Sequence, residues 1–128
     1  MTYYCTSDNG GPSGALASGH SANNWPLRGG KTNFFEGGIR VTAFVSGGFI
    51  PTHLHGSQRT GYIHACDWYP TFLNLAGGDP TDMHRGLPAV DGIDMWPYLS
   101  GAVLDSPRVE MMIGSEIVKQ KAKGHPTL

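Results

Sequence analysis

Thr6-Ser7-Asp8-Asn9-Gly10-Gly11 and Asn23-Asn24-Trp25-Pro26-Leu27-Arg28-Gly29-Gly30-Lys31 are the stretches from which the chain is read. The lead-in Thr2-Tyr3-Tyr4-Cys5-Thr6 is rich in β-branched and aromatic residues and reads as a strand over 2–6. It delivers an acid and an amide side by side at the strand end. From local chemistry alone, Asp8-Asn9-Gly10-Gly11 reads as a hairpin turn, because Asn-Gly tolerates positive φ at both central positions. No alternating partner strand follows, however. Residues 12–33 are a long loop of Gly, Ser, Ala, Asn and Pro, and loops of that length in a compact domain are usually functional. The loop returns Lys31 behind two glycines. Carboxylate and amide oxygens suit a hard divalent cation, and a lysine suits an oxyanion.

Composition bounds the rest. The 128 residues include 19 Gly and 9 Pro, so short elements with long irregular connections are expected rather than a helical bundle. Nine basic and 10 acidic side chains give a net charge of -1, which carries no broad electrostatic footprint for nucleic acid. Cys5 and Cys66 have no CxxC or Cys/His metal spacing, and their apolar contexts suggest buried thiols. No apolar run approaches membrane-spanning length.

Beyond the loop, Val41-Thr42-Ala43-Phe44-Val45 is a near-continuous apolar run, as in a strand buried on both faces of a parallel or mixed α/β sheet. Residues 63–78 read as a helix with Asp67 as N-cap, Pro70 in the first turn and Gly77 just past the end. Trp68, Phe72 and Leu75 form a stripe that packs on the sheet. Ile93 to Gly101 suggests a short helix or turn, and Arg108 to Ile113 one more strand. Glu36 and Arg40 are expected to form a buried pair bracing the loop. His53, His55 and His64 read as surface or core residues.

Taken in order, Ser7-Asp8-Asn9-Gly10-Gly11, Asn24 to Lys31, Phe35-Glu36-Gly37-Gly38-Ile39-Arg40-Val41, Ile63 to Thr71 and Asp91-Gly92-Ile93-Asp94-Met95-Trp96 strongly resemble the type I sulfatases. The wording is nearest to the arylsulfatase B, or N-acetylgalactosamine-4-sulfatase, branch and covers roughly residues 3–112. Any one motif is weak, whereas five in order are specific. The resemblance implies an α/β fold, part of an alkaline-phosphatase-like sandwich with a mixed sheet and an active site at the strand ends. It implies sulfuric ester hydrolysis that depends on calcium and on a formylglycine made from Cys or Ser in a Cys/Ser-x-Pro-x-Arg motif. Carried over residue by residue, Asp8 and Asn9 match the calcium-ligating pair, and Lys31 matches the lysine that contacts the substrate sulfate. With that context, metal ligation replaces the turn reading. His20, on the same loop, is a further candidate for substrate contact. The implied partners are sulfated small molecules or glycans, and the implied destination is lysosomal or secreted.

The 128 residues contain no Cys/Ser-x-Pro-x-Arg, and they lack the paired aspartates that complete the family's calcium site. In the family those parts precede the Asp8 motif. The chain is therefore expected to be the C-terminal portion of a catalytic domain over 1–114, with an irregular tail over 115–128, and to be inactive alone. Two alternatives stay open: a non-catalytic relative that binds sulfated glycans, and a phosphatase or phosphodiesterase of the same superfold.

Overall fold

The computed structural model describes residues 1–13, 22–81, 86 and 88–114. Strand β1, Thr2–Thr6, pairs antiparallel with β2, Ala43–Gly47, in the register Tyr3↔Ser46, Tyr4↔Val45 and Cys5↔Phe44. Paired residues share a face, and alternation sends successive residues to opposite faces. Tyr4 therefore points toward helix α2, Trp68–Leu75, where its ring lies 3.9 Å from Trp68 and 5.6 Å from Phe72. The expected aromatic stripe does pack on the sheet. Tyr3, Cys5, Phe44 and Ser46 face the other way and are exposed.

Two expectations for this layer are corrected. The sheet is two-stranded and antiparallel among the described residues, and β2 has one half-buried face rather than two. An apolar run reports apolar neighbours, and among the described residues α2 covers one face of the sheet, while Phe44 on the other is 56% exposed. Cys5 is likewise an exposed thiol, because odd positions of β1 occupy the uncovered face, while Cys66 is half-buried.

Helix α2 ends as its sequence dictates. Gly77 takes a φ of +76°, its N–H bonds the Asn74 carbonyl, and the Gly78 N–H bonds that of Leu73 at 2.9 Å. These are the two hydrogen bonds of a Schellman cap. Helix α3, Trp96–Leu99, carries Pro97 in its first turn and stops before Gly101, at φ +80°. Met95 and Tyr98 are buried there, with the Tyr98 hydroxyl accepting from the Gly61 N–H at 2.8 Å.

Asp67 departs from its expected role. Its carboxylate does not cap α2. Instead it accepts from the His64 N–H at 2.7 Å and closes a single 3-10 turn, Ala65–Asp67, while the His64 ring accepts from the Cys66 N–H. The strand expected from Arg108 to Ile113 is also absent. Those residues have no partner edge, and Val109 and Met112 are about four-fifths exposed. Glu36 and Arg40 do pair, at 3.2 Å, but on the surface of the one-turn helix α1, Glu36–Ile39, with both side chains more than half exposed. An i,i+4 pair on an exposed turn contributes little, about 0.3–0.5 kcal/mol.

Candidate functional site

The strand end and the lysine loop meet. The Lys31 N–H bonds the Gly11 carbonyl at 3.0 Å, which docks the second motif onto the first through the backbone. Asn24 completes the junction with its side chain. Its Oδ1 accepts from the Gly11 N–H at 2.9 Å, and its Nδ2 donates to the Gly11 carbonyl at 2.8 Å and to the Gly29 carbonyl at 3.1 Å. The carboxamide thus pairs with Gly11 as a neighbouring peptide group would, and spends both of its protons doing so. Asn33 shapes the following turn by accepting from the Phe35 N–H at 3.2 Å.

The third motif lies against the same junction. The Gly10 N–H bonds the Gly38 carbonyl at 2.9 Å, and the Gly37 N–H bonds that of Arg28 at 2.7 Å. Gly30, Gly37 and Gly38 are buried. A methyl group on Gly10 would collide with the Gly37 carbonyl, and one on Gly38 with the carbonyls of Asn33 and Gly30. Backbone therefore packs directly on backbone, which side chains at these positions would forbid. The Arg28 guanidinium lies over the Phe35 ring at 4.0 Å, joining the two loops from outside.

Asp8, beyond the end of β1, is exposed and Asn9 is half-buried; Lys31 is exposed. None of the three side chains makes a hydrogen bond or ion pair to another described residue. The acid–amide pair and the lysine thus sit on segments that the backbone holds together, with their polar ends free. His20 lies outside the described residues. An uncommitted carboxylate and amide oxygen on adjacent residues fit a hard cation in kind. Among the described residues no group of three or more His, Cys, Asp or Glu is placed to hold a metal ion.

A second polar centre lies beneath α2. Asp67 is fully buried and takes both arms of Arg108, Nε on Oδ2 at 2.7 Å and Nη2 on Oδ1 at 2.5 Å, while the Ile93 N–H donates to Oδ1 at 2.8 Å. Burial alone would push the Asp67 carboxyl up. The Arg108 hydrogen bonds, with those from the Ile93 and His64 amides, outweigh it and hold the acid below its ordinary range. Thr71 extends the network by donating to the Asp67 carbonyl at 2.6 Å and accepting from the Met95 N–H at 2.8 Å. The Cys66 thiol lies 3.0 Å from His64 Nδ1, and burial followed by the Asp67 charge pushes its pKa up, which disfavours the nucleophilic thiolate. This centre joins α2, α3 and the Arg108 segment; every group in it is already committed to another.

The sequence singled out Asp8, Asn9 and Lys31 as candidates, but not the hydrogen-bonding roles of Asn24, Asp67 and Arg108. Asn24 gave one signal, an amide just before the Trp25-Pro26 turn, yet nothing local names Gly11 as its partner. Arg108 lies 41 residues from Asp67, beyond any periodicity.

No protein-family model matches the chain. It is nevertheless 37% identical over 118 residues to arylsulfatase J of Mus musculus, covering 92% of this chain and 18% of that protein. It is 38% identical over 112 residues to steryl-sulfatase of Rattus norvegicus, covering 80% of this chain and 17% of that protein. With N-acetylgalactosamine-6-sulfatase of Sus scrofa it shares 33% identity over 108 residues, 81% of this chain and 19% of that protein. The chain belongs to the sulfatase family. It spans under a fifth of the length of these relatives.

Proposed function

We propose that these residues form the C-terminal part of the catalytic domain of a sulfuric ester hydrolase, acting on sulfated small molecules or glycans. The observation that supports this reading most directly is the docking of Lys31 onto Gly11, which brings a free lysine to the strand end that carries a free acid–amide pair. Lys31 would hold the sulfate oxygens and, as the ester bond breaks, stabilise charge on the leaving oxygen. Asp8 and Asn9 would hold part of a calcium shell. That ion, when bound, supplies a fixed positive charge for the sulfate. His20 is assigned to substrate contact from its place in the loop sequence. The formylglycine nucleophile belongs to residues outside these 128, since no Cys/Ser-x-Pro-x-Arg occurs among them. A lysosomal or secreted destination goes with this reading, and no described helix is long and apolar enough to cross a membrane.

The test is turnover of 4-nitrophenyl sulfate by the full-length protein that contains these residues, before and after Lys31→Ala. Loss of a transition-state donor of this kind lowers kcat by about 10²–10³-fold. The 128-residue chain by itself is expected to show no turnover above the Lys31→Ala background. Unchanged kcat/KM in the Lys31→Ala enzyme, or turnover by the short chain alone, refutes the assignment.

A further inference from the structure

We infer that Asn24 is the positioning residue of this site, fixing where Lys31 stands relative to Asp8 and Asn9; the inference rests on the proposed roles of those three residues. Among the described residues, two kinds of hydrogen bond join the lysine loop to Gly11. One is the Lys31 N–H on the Gly11 carbonyl, which fixes a single point. The other is the Asn24 carboxamide, which grips both the backbone N–H and the backbone carbonyl of Gly11, and the Gly29 carbonyl, at once. At Gly11 a single contact leaves the loop free to pivot about that point, whereas two more from one rigid planar group, itself anchored to the Gly29 carbonyl, remove that freedom. Gly11 follows Asn9 by two residues, and Gly29 precedes Lys31 by two, so the carboxamide spans the interval between the two functional ends.

The residue type is demanded by the geometry. Aspartate keeps the acceptor for the Gly11 N–H but has no proton for the Gly11 and Gly29 carbonyls, and it would set a charge against two carbonyl oxygens. Glutamine is one methylene longer and would carry the carboxamide past the Gly11 and Gly29 groups that it bonds. A methyl group on Gly30 would already lie 2.8 Å from Asn24 Nδ2, and one on Gly11 3.2 Å from Oδ1. The surrounding glycines are therefore shaped to this side chain, and their own backbone atoms are its ligands. Asn24 touches no reacting atom; it acts through Lys31.

A double-mutant cycle in the full-length enzyme tests this, using Asn24→Asp, Lys31→Ala and the combined variant, with 4-nitrophenyl sulfate as substrate and the melting midpoint recorded for each. Asn24→Asp should lower kcat by about 100-fold, the scale of a 1 Å misplacement, with the midpoint close to that of the wild type. In the Lys31→Ala background the same change should cost nothing more, because the group it positions is gone. Losses that multiply would show a general structural role and overturn the inference, as would wild-type kcat in folded Asn24→Asp. If Asn24→Asp does not fold, Asn24→Ser, which admits a water and adds no charge, replaces it in the same cycle. The single Lys31→Ala variant separates the two ideas: if it alone is harmless, the lysine assignment fails, whereas if it is impaired and the cycle is multiplicative, only the Asn24 inference fails.

Discussion

Asp67 and Arg108 form a bidentate, buried ion pair, and the Asp67 carboxylate carries four N–H donors, two from the guanidinium and one each from the amides of His64 and Ile93. Each oxygen accepts two of these N–H bonds, and Oδ1 also accepts from the Cys66 thiol at 3.8 Å. Asp67 is fully buried and Arg108 is 14% exposed, so the pair is desolvated but completely satisfied. It ties the turn before α2 to the segment before α3 and to the chain beyond it, across three stretches that no sheet connects.

Removing the carboxylate should therefore be costly. Asp67→Ala leaves a nearly buried guanidinium and two backbone amides without their acceptor. Breaking a buried pair in this way costs about 3–5 kcal/mol. Chemical denaturation of the variant against the wild type measures it. A loss below about 1 kcal/mol, the scale of surface pairs, would mean the pair is not desolvated in solution.

The same carboxylate sets an acid limit. Its folded pKa lies below the ordinary value of 3.8, so the folded state binds the Asp67 proton less readily than the unfolded chain does. The stabilisation is fully present above the unfolded pKa and is lost as pH falls from about 4 through the lower folded value. Unfolding free energy measured from pH 6 to pH 2 should decline steeply below pH 4. In Asp67→Asn that part of the slope should vanish. An equal slope in both proteins would assign the acid sensitivity to other carboxylates.

How much of this was legible in the sequence depends on how far each partner lies. The Schellman cap at Gly77, the stop at Gly101 and the Trp68–Phe72 stripe are written within one or two turns of the residues they govern, and they were read correctly. Strand β1 was also legible, from its own β-branched and aromatic residues. Its partner was not, because β2 pairs with it antiparallel across the whole length of the glycine loop. Asp67 looked like an ordinary N-cap because its position is that of one; its carboxylate turns back to His64 and across to Arg108 instead. The apolar run at Val41 told of apolar surroundings but not of how many faces are covered. At the candidate site the residue types of Asp8, Asn9 and Lys31 were legible, while the hydrogen bonds that bring them together run through backbone groups and Asn24, which carry no chemical signature of their own.

The glycine junction gives a sharper stability test than its loop character suggests. Gly38→Ala places a methyl group against the Asn33 and Gly30 carbonyls, neither of which can rotate away. Overpacking of this kind costs about 1–3 kcal/mol. Gly48 is the internal control: it is exposed, no atom lies within 4 Å of a methyl group there, and its φ is not in the left-handed region. Gly48→Ala should be neutral or stabilising by up to about 1 kcal/mol, through the unfolded state. Equal effects of the two substitutions, by thermal or chemical unfolding, would contradict the close packing of Gly38 on Gly30.

Calcium separates what these residues supply from what they lack. A calcium ion takes about six to eight oxygens, and Asp8 and Asn9 provide donors of the right kind on two adjacent residues only. The 128-residue chain should bind calcium no more tightly than about 10⁻⁴–10⁻³ M, the weak end of protein sites. The full-length protein should bind it far more tightly, and Asp8→Asn should weaken that affinity at least about tenfold, since each 1.4 kcal/mol is a factor of ten and the substitution removes a charge from the shell while preserving its shape. Asp105→Asn, which changes an exposed carboxylate outside the site, controls for net charge and should leave the affinity as it was. Isothermal calorimetry with calcium on the four proteins decides the matter. Tight binding by the short chain would mean that its own residues complete the shell, and an Asp8→Asn enzyme with wild-type affinity would remove Asp8 from the metal site altogether.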